Sequence, residues 1–135
     1  MSFRKEKKYI FNYDDILKVK NSLLKVGMQK LYPPRSIKNY YFDNYQLSMH
    51  QDSEEGVLPR KKIRIRCYDN LLKFKEETKI SSLEGRFKIN KSIKKIRCEK
   101  DIFEYDLYDQ LYGKLRPTLI VKYTRSYFKL NFLRL

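Results

Sequence analysis

Nine consecutive residues in the middle of the chain, Arg60 to Tyr68, alternate basic with apolar side chains. Because side chains point alternately to the two faces of a β-strand, the four cations of one face are Arg60, Lys62, Arg64 and Arg66. The opposite face is apolar after its first residue and requires a core; it carries Ile63, Ile65 and Cys67. Four cations in a row repel each other unless an anion or water screens them. The pattern therefore indicates either a solvent-facing side of a half-buried strand or one wall of a polyanion site.

Two further segments place charged side chains at alternate positions. They are Arg4, Glu6 and Lys8 near the N-terminus, and Lys75, Glu77 and Lys79 downstream of the basic strand. Strands with this alternation can pair into a sheet with a continuous charged face, and curvature turns that face into the wall of a groove or tunnel. Inward-facing cations are costly without counter-charge. We therefore expect the groove to hold an anion, with arginine forks and lysine ammonium groups on its phosphate oxygens.

The carboxylates within this alternation have two interpretations. Glu6 and Glu77 could hold a divalent cation that bridges phosphates, or they could form cross-strand ion pairs with the neighbouring cations. The residue pattern does not choose between these alternatives.

The overall charge supports a polyanionic partner. Lysine and arginine number 31 against 16 aspartate and glutamate residues, which gives a formal net charge of +15. Such an excess implies nucleic acid, a phosphate-rich metabolite, polyphosphate or acidic lipid as partner. The chain carries no P-loop, no zinc-ligand spacing and no arrangement of Ser, His and Asp for nucleophilic catalysis. His50, its one histidine, has no nucleophile nearby in sequence and is expected at the surface.

Length and patterning predict one domain over residues 1–135, of class α+β with an antiparallel sheet. Strands are expected over 3–11, 37–45, 60–68, 71–80 and 118–128, and the start of another over 131–135. Helices are expected over 14–26 and 101–112, the second with an apolar stripe from Phe103 to Tyr112. Residues 51–59 read as a loop, and 86–96 is ambiguous.

The cysteines and the apolar runs indicate the cellular compartment of the protein. Cys67 and Cys98 show no close-spaced metal pattern, and two cysteines without a signal peptide are typical of a reducing cytoplasm. No apolar run approaches the roughly 20 residues that a membrane-spanning helix needs. We therefore expect a cytoplasmic protein without a membrane span.

The order of these motifs resembles the VTC family of polyphosphate polymerase domains, named for the vacuolar transporter chaperone complex and part of the CYTH-like triphosphate tunnel superfamily. The resemblance rests on Arg4-x-Glu6-x-Lys8-Tyr9, Tyr41-Phe42-Asp43, the basic strand from Arg60 to Tyr68, Glu77-x-Lys79, and Pro117 with Tyr123-x-Arg125. Each motif alone is weak, but five in the family's order are fairly specific. The match extends over nearly the whole chain.

The resemblance implies a tunnel of antiparallel strands that binds the triphosphate of ATP and a growing polyphosphate chain. The reaction it implies is transfer of the γ-phosphoryl group to polyphosphate, assisted by manganese or magnesium. By motif, the catalytic residues are Lys62, Arg64 and Arg66. Substrate phosphates are bound by Arg4, Lys8, Lys79, Arg125 and Arg134. The metal ligands implied are Glu6 and Glu77.

The chain also departs from the family's pattern. Family members continue with a strand of the type Arg-hydrophobic-Thr-x-Asp and a later Glu-x-Lys strand, whereas here Leu133-Arg134-Leu135 resembles only the first half of the former. The expectation is an incomplete barrel with about two flanking helices, corresponding to the N-terminal portion of the tunnel domain. A truncated product, a second chain that completes the barrel and a degraded relative remain open. So do a related triphosphatase and a non-catalytic module that binds polyphosphate or RNA.

Overall fold

The structure is a computed structural model that describes residues 7–69, 73–131 and 133–135. Its helices are α1 (Tyr13–Lys25), α2 (Ser48–Glu55) and α3 (Glu99–Phe103). Its strands are β1 (Gln29–Asp43), β2 (Arg60–Tyr68), β3 (Phe74–Ser82), β4 (Gly85–Ile93), β5 (Leu107–Asp109), β6 (Gly113–Leu130) and β7 (Leu133–Arg134). The sheet order is β4-β3-β2-β1-β6-β5, with β7 paired to β6. This confirms the predicted α+β class with an antiparallel sheet, which within these residues does not close into a barrel.

The chain divides into two compact units, of which the first comprises Met1–Pro34 and Ser126–Leu135. Its helix α1 begins where the Asn12 side chain accepts a hydrogen bond from the Asp15 backbone N–H at 2.8 Å. Acidic residues occupy the first turn and Lys25 the last, as the helix dipole favours. Gly27 follows at a positive φ of 97°, a conformation that ends helices and suits glycine. The helix predicted over 14–26 is confirmed.

The second unit, Arg35–Arg125, contains the hydrophobic core. The apolar face predicted for β2 is buried in it, at Ile63, Ile65 and Cys67. Helices α2 and α3 reach the same cluster through Met49 and Ile102. The other members of the cluster are Tyr40, Phe42, Phe74, Ile93, Ile96, Leu107, Tyr112 and Leu115. Because one face of β2 is committed to this core, its cations must lie on the opposite face of the sheet.

The predicted helix over residues 101–112 is wrong. Helix α3 ends at Phe103, and residues 107–109 form β5, which pairs with β6 through a turn. The Asp109 carboxylate holds that turn by accepting hydrogen bonds from the Leu111 and Tyr112 backbone N–H groups at 2.9 and 3.3 Å. Phe103, Tyr108 and Leu111 of the expected stripe are exposed. Their helical spacing was therefore a coincidence that turn chemistry overrode.

The loop predicted over residues 51–59 is wrong in its first half, because α2 continues to Glu55. This helix begins under a buried carboxylate at the end of β1. Asp43 accepts hydrogen bonds from the backbone N–H groups of Met49 at 3.0 Å and His50 at 2.9 Å. These are N–H groups of the first helical turn, which need an acceptor from outside the helix.

Other expectations are met in part. Residues 7–11 of the predicted first strand are not in a strand, and its residues 3–6 lie outside the described part of the chain. The ambiguous segment is largely β4, an end strand of the sheet with exposed cations and with Phe87 and Ile89 54% and 57% exposed. The strand expected at the C-terminus is β7. About two helices were expected, and the part described here has α1, α2 and α3.

Candidate anion-binding face

The register of β2, β3 and β4 aligns cations across the sheet. Lys62 of β2 lies opposite Lys79 of β3, which lies opposite Lys88 of β4. We call these residues the lysine row. The adjacent pair is Arg64 of β2 opposite Glu77 of β3. We call the surface formed by the lysine row, Arg64, Arg66, Lys75 and Glu77 the basic face.

Glu77 is the anion at the centre of the basic face. Its Oε2 accepts hydrogen bonds from Arg64 Nε at 2.8 Å and Arg64 Nη2 at 2.6 Å. Arg66 Nη1 lies 3.6 Å from the same oxygen, and Lys88 Nζ lies 3.2 Å from Oε1. Burial alone would raise the pKa of Glu77, but the hydrogen bond from Arg64 and the charges of Arg64 and Arg66 outweigh burial and lower it. The cross-strand ion pair left open by the sequence is therefore present.

Arg64 and Arg66 of β2 are both held inside this network. Arg66 Nε donates to Asn39 Oδ1 at 2.7 Å, and Arg64 Nη1 donates to the Tyr41 hydroxyl at 2.9 Å. Their side chains are only 9% and 11% exposed. Burial acts to lower the pKa of Arg64, but the hydrogen bonds and charge interactions with Glu77 and Tyr41 together outweigh burial and raise it. These guanidinium groups are fixed charges beneath the surface.

Lys62 and Lys79 have a different environment. Both are exposed, and neither has a carboxylate within ion-pair distance among the described residues. Burial and then the charge of Arg64 lower the pKa of Lys79. Like charges directly opposite each other across a sheet are destabilising. The two ammonium groups are thus in a position where an anion would be stabilising.

The remaining predicted site residues are scattered through the chain. Arg4 and Glu6 lie outside the described residues. Lys8 and Arg134 are exposed in the first unit. Arg125 is exposed in the second unit, where its Nη2 lies 3.4 Å from the Tyr123 hydroxyl. Within the second unit, the register of β2 and β3 brings together the predicted site residues Lys62, Arg64, Arg66, Lys79 and Glu77.

The described residues do not fit a metal centre. Both oxygens of Glu77 are engaged by cationic side chains, and a carboxylate neutralised in this way is a poor ligand for a hard cation. Nowhere in residues 7–69, 73–131 and 133–135 do three side chains of His, Cys, Asp or Glu form a group that could hold a metal ion. The manganese or magnesium expected from the resemblance remains a prediction.

Sequence reasoning missed Lys88 of the basic face and the two residues of β1 that hold its arginines. Lys88 was in the ambiguous segment, although Arg86, Lys88 and Asn90 alternate there with apolar residues as a strand would require. Asn39 and Tyr41 gave no signal, because their roles depend on the register between β1 and β2, which places them opposite Arg66 and Arg64.

Comparisons with known proteins agree with the motif order. The model of the VTC domain family matches residues 3–132. A search among curated proteins gave no match. Within the described part of the chain, no helix is both long and apolar enough to cross a membrane. A family match over this much of the sequence shows that the chain belongs to the VTC domain family.

Proposed function

We propose that this protein is a phosphotransferase of the polyphosphate polymerase type, which binds the triphosphate of ATP and the end of a polyphosphate chain on the basic face. The observation that supports this most directly is the lysine row, where Lys62 and Lys79 lie opposite each other without a carboxylate partner among the described residues. Neighbouring strands lie about 4.8 Å apart, so three lysines in a cross-strand row extend over roughly 10 Å. A short phosphate chain can follow such a row.

In this proposal the cations of the basic face have two roles. Lys62 and Lys79 are exposed and contact phosphate oxygens as mobile point charges. Arg64 and Arg66 are held by Glu77, Asn39 and Tyr41, so they supply a fixed positive field beneath the bound anion. A preorganised field of this kind favours charge that spreads over the transferred phosphoryl group.

The proposed reaction needs no protein nucleophile. A terminal oxygen of polyphosphate attacks the γ-phosphorus of ATP, the new P–O bond forms, and the bond from the γ-phosphorus to its bridging oxygen breaks to release ADP. The negative charge moves from attacking to leaving oxygen, so no proton is transferred. The residues contribute positioning and neutralisation of charge.

A polyphosphate or RNA module without turnover is the second candidate. It is favoured by the finding that no three His, Cys, Asp or Glu side chains in the described residues form a group that could hold a metal ion. The two candidates differ in their requirements: a phosphotransferase consumes ATP with a divalent metal, whereas a simple polyanion binder shows a steep salt dependence and no turnover.

The test is calorimetric titration with tripolyphosphate, with and without manganese, beside an RNA oligonucleotide of matched charge. The key variant is Lys62→Ala/Lys79→Ala, because its wild-type side chains are exposed and their removal leaves the Glu77 network complete. The matched control is Lys95→Ala/Lys100→Ala, which removes the same charge from exposed positions outside the strands. We expect tripolyphosphate affinity to fall at least tenfold in the first variant, about 1.4 kcal/mol, and to change little in the control.

An equal loss in both double variants, or RNA binding as tight as that of tripolyphosphate, would contradict a specific phosphate site. Tight tripolyphosphate binding without ADP release from ATP in the presence of polyphosphate and manganese would reject the transferase and leave the binding module.

A further inference from the structure

A cavity of about 400 Å³ opens beside the lysine row. Its walls come from the ends of β1 and β2, from α2 and from β6, and all of its lining residues lie in the second unit. Apolar side chains such as Leu47, Met49 and Leu119 dominate the lining. The volume is within the range of small-molecule sites, and a chain of inorganic phosphates has no group that such walls would favour.

Two of the lining side chains, Lys62 and Tyr41, connect the cavity to the basic face. Lys62, the first member of the lysine row, lines the cavity. Tyr41 lines it as well, and its hydroxyl accepts the 2.9 Å hydrogen bond from Arg64. The Arg64 guanidinium also lies 5.7 Å from the centre of the Tyr41 ring. An anion on the lysine row and a planar group in the cavity could therefore be two parts of one ligand, with a fixed aromatic ring beside the planar part.

The wall of the cavity that α2 forms carries polar groups that could hydrogen-bond to the edge of a planar ring. His50 and Ser53 are three residues apart on α2, so they share a face of that helix, and both line the cavity. Neither side chain makes a hydrogen bond among the residues that the structure describes. The helix is held by the Asp43 carboxylate through the backbone N–H groups of Met49 and His50. The helix backbone that carries these two side chains is thus anchored beside the cavity.

We propose that this cavity binds the base of a nucleoside triphosphate whose phosphates lie along the lysine row. The inference rests on the proposed function and assigns the donor end of the site to a nucleotide. An apolar cavity with one rigid aromatic wall, two polar side chains and a cation at its mouth matches a heterocycle linked to a polyanion. Polyphosphate lacks the heterocycle and would use the basic face alone.

The experiment compares ATP, ribose 5-triphosphate and tripolyphosphate by calorimetric titration of the whole chain. ATP and ribose 5-triphosphate differ only in the base, so the ratio of their affinities measures the cavity. Stacking on an aromatic side chain contributes about 1–3 kcal/mol per base, and we expect ATP to bind at least about tenfold more tightly. Ser53→Phe fills the cavity and should reduce that ratio to about twofold or less, with tripolyphosphate affinity unchanged. Gln51→Phe is the matched control, because Gln51 is exposed on the same helix and is not a lining residue.

Equal affinities of the wild-type protein for ATP and ribose 5-triphosphate would overturn the base site, and so would an unchanged ratio in Ser53→Phe. If Ser53→Phe does not fold, His50→Ala decides: its exposed side chain can be removed without loss of a packed group, and an unchanged ratio there would also overturn the inference. If tripolyphosphate itself fails to bind, the proposed function falls and the base site with it. Tripolyphosphate binding with no preference for ATP refutes the base site alone.

Discussion

Glu77→Gln should strongly destabilise the fold, because the glutamine keeps the size of the side chain and removes its charge. The Arg64 and Arg66 side chains, 11% and 9% exposed, would then be positive charges with little access to water. Removing one partner of a buried ion pair costs about 3–5 kcal/mol. The amide oxygen can still accept one hydrogen bond from Arg64, so we expect the lower end, a loss of about 3 kcal/mol in the free energy of unfolding. For a domain of this length the melting temperature should fall by roughly 10 °C.

Urea unfolding followed by circular dichroism near neutral pH measures this loss. Glu84→Gln is the control, since it makes the same chemical change in an exposed turn, where substitutions usually stay within about 0.5 kcal/mol. A loss below about 1 kcal/mol in Glu77→Gln would be no larger than the contribution of an exposed ion pair. That result would refute the reasoning, because it would mean that water already screens the two arginines.

The acid dependence gives a second measurement on the same variant. The pKa of Glu77 is lowered below its usual value of 4.5, and the unfolded chain keeps the usual value. The stabilisation by its charge is therefore complete above pH 4.5 and is lost as the pH falls through the lower folded-state pKa. The difference in unfolding free energy between wild type and Glu77→Gln should be constant above that pH and should shrink below it. A difference that also varies near neutral pH would point to another group.

Three other substitutions test features outside the basic face. Tyr112→Phe removes the 2.6 Å hydrogen bond to the Asp52 carboxylate and should cost about 1.5–3 kcal/mol in urea unfolding, with no further loss when Asp52→Asn is added. Burial and the bond to Asp52 raise the pKa of Tyr112 to about 12. The stabilisation that the neutral Tyr112 hydroxyl provides should therefore be complete below pH 10, the usual pKa of tyrosine, and should disappear as the pH rises toward 12. An alkaline unfolding curve that is unchanged by Tyr112→Phe would contradict this. Asp43→Ala should cost about 1–2 kcal/mol through loss of the α2 cap, with reduced amide-exchange protection at Met49, and unchanged protection there would contradict the capping role.

The elements that the sequence predicted well are those whose pattern is local. The predicted strand Arg60–Tyr68 matches β2 at both ends, because its apolar residues Ile63, Ile65 and Cys67 occupy alternate positions between polar ones. Helix α1 has its cap, acidic first turn and terminal glycine within a short stretch of chain. By contrast, α2 depends on Asp43, which precedes the helix in another element. The turn after β5 depends on Asp109, whose carboxylate also pairs with Lys61 on β2 at 2.7 Å. Asp43 accepts from a residue six positions along the chain, outside the usual capping position, and Lys61 lies 48 positions from Asp109, so neither contact belongs to a familiar local pattern.

The candidate site also has one part that the sequence predicted and another that depends on contacts between strands. Alternation alone predicted that Lys62, Arg64 and Arg66 share a face, and that Glu77 and Lys79 do. Which cations are free for an anion depends on the register between β2 and β3, since that register gives Arg64 to Glu77 and leaves Lys62 facing Lys79. For this reason a binding test should replace Lys62 and Lys79: replacing Arg64 and Arg66 together would leave the Glu77 carboxylate without its principal partners and would disturb the fold. The cavity has walls from separate strands and from α2, a helix that the sequence did not predict.

The end strand β4 connects anion binding on the basic face with the solubility of the protein. Its cations act against edge-to-edge pairing between molecules, which is a common use of lysine on sheet edges. The same strand exposes Phe87 and Ile89, and Lys88 belongs both to this edge and to the lysine row. A long polyanion that follows the row neutralises the charge that keeps neighbouring molecules apart, and it can also bridge them. Under the proposed function, loading with long polyphosphate should therefore lower the solubility of the protein, and short phosphate chains or excess salt should preserve it.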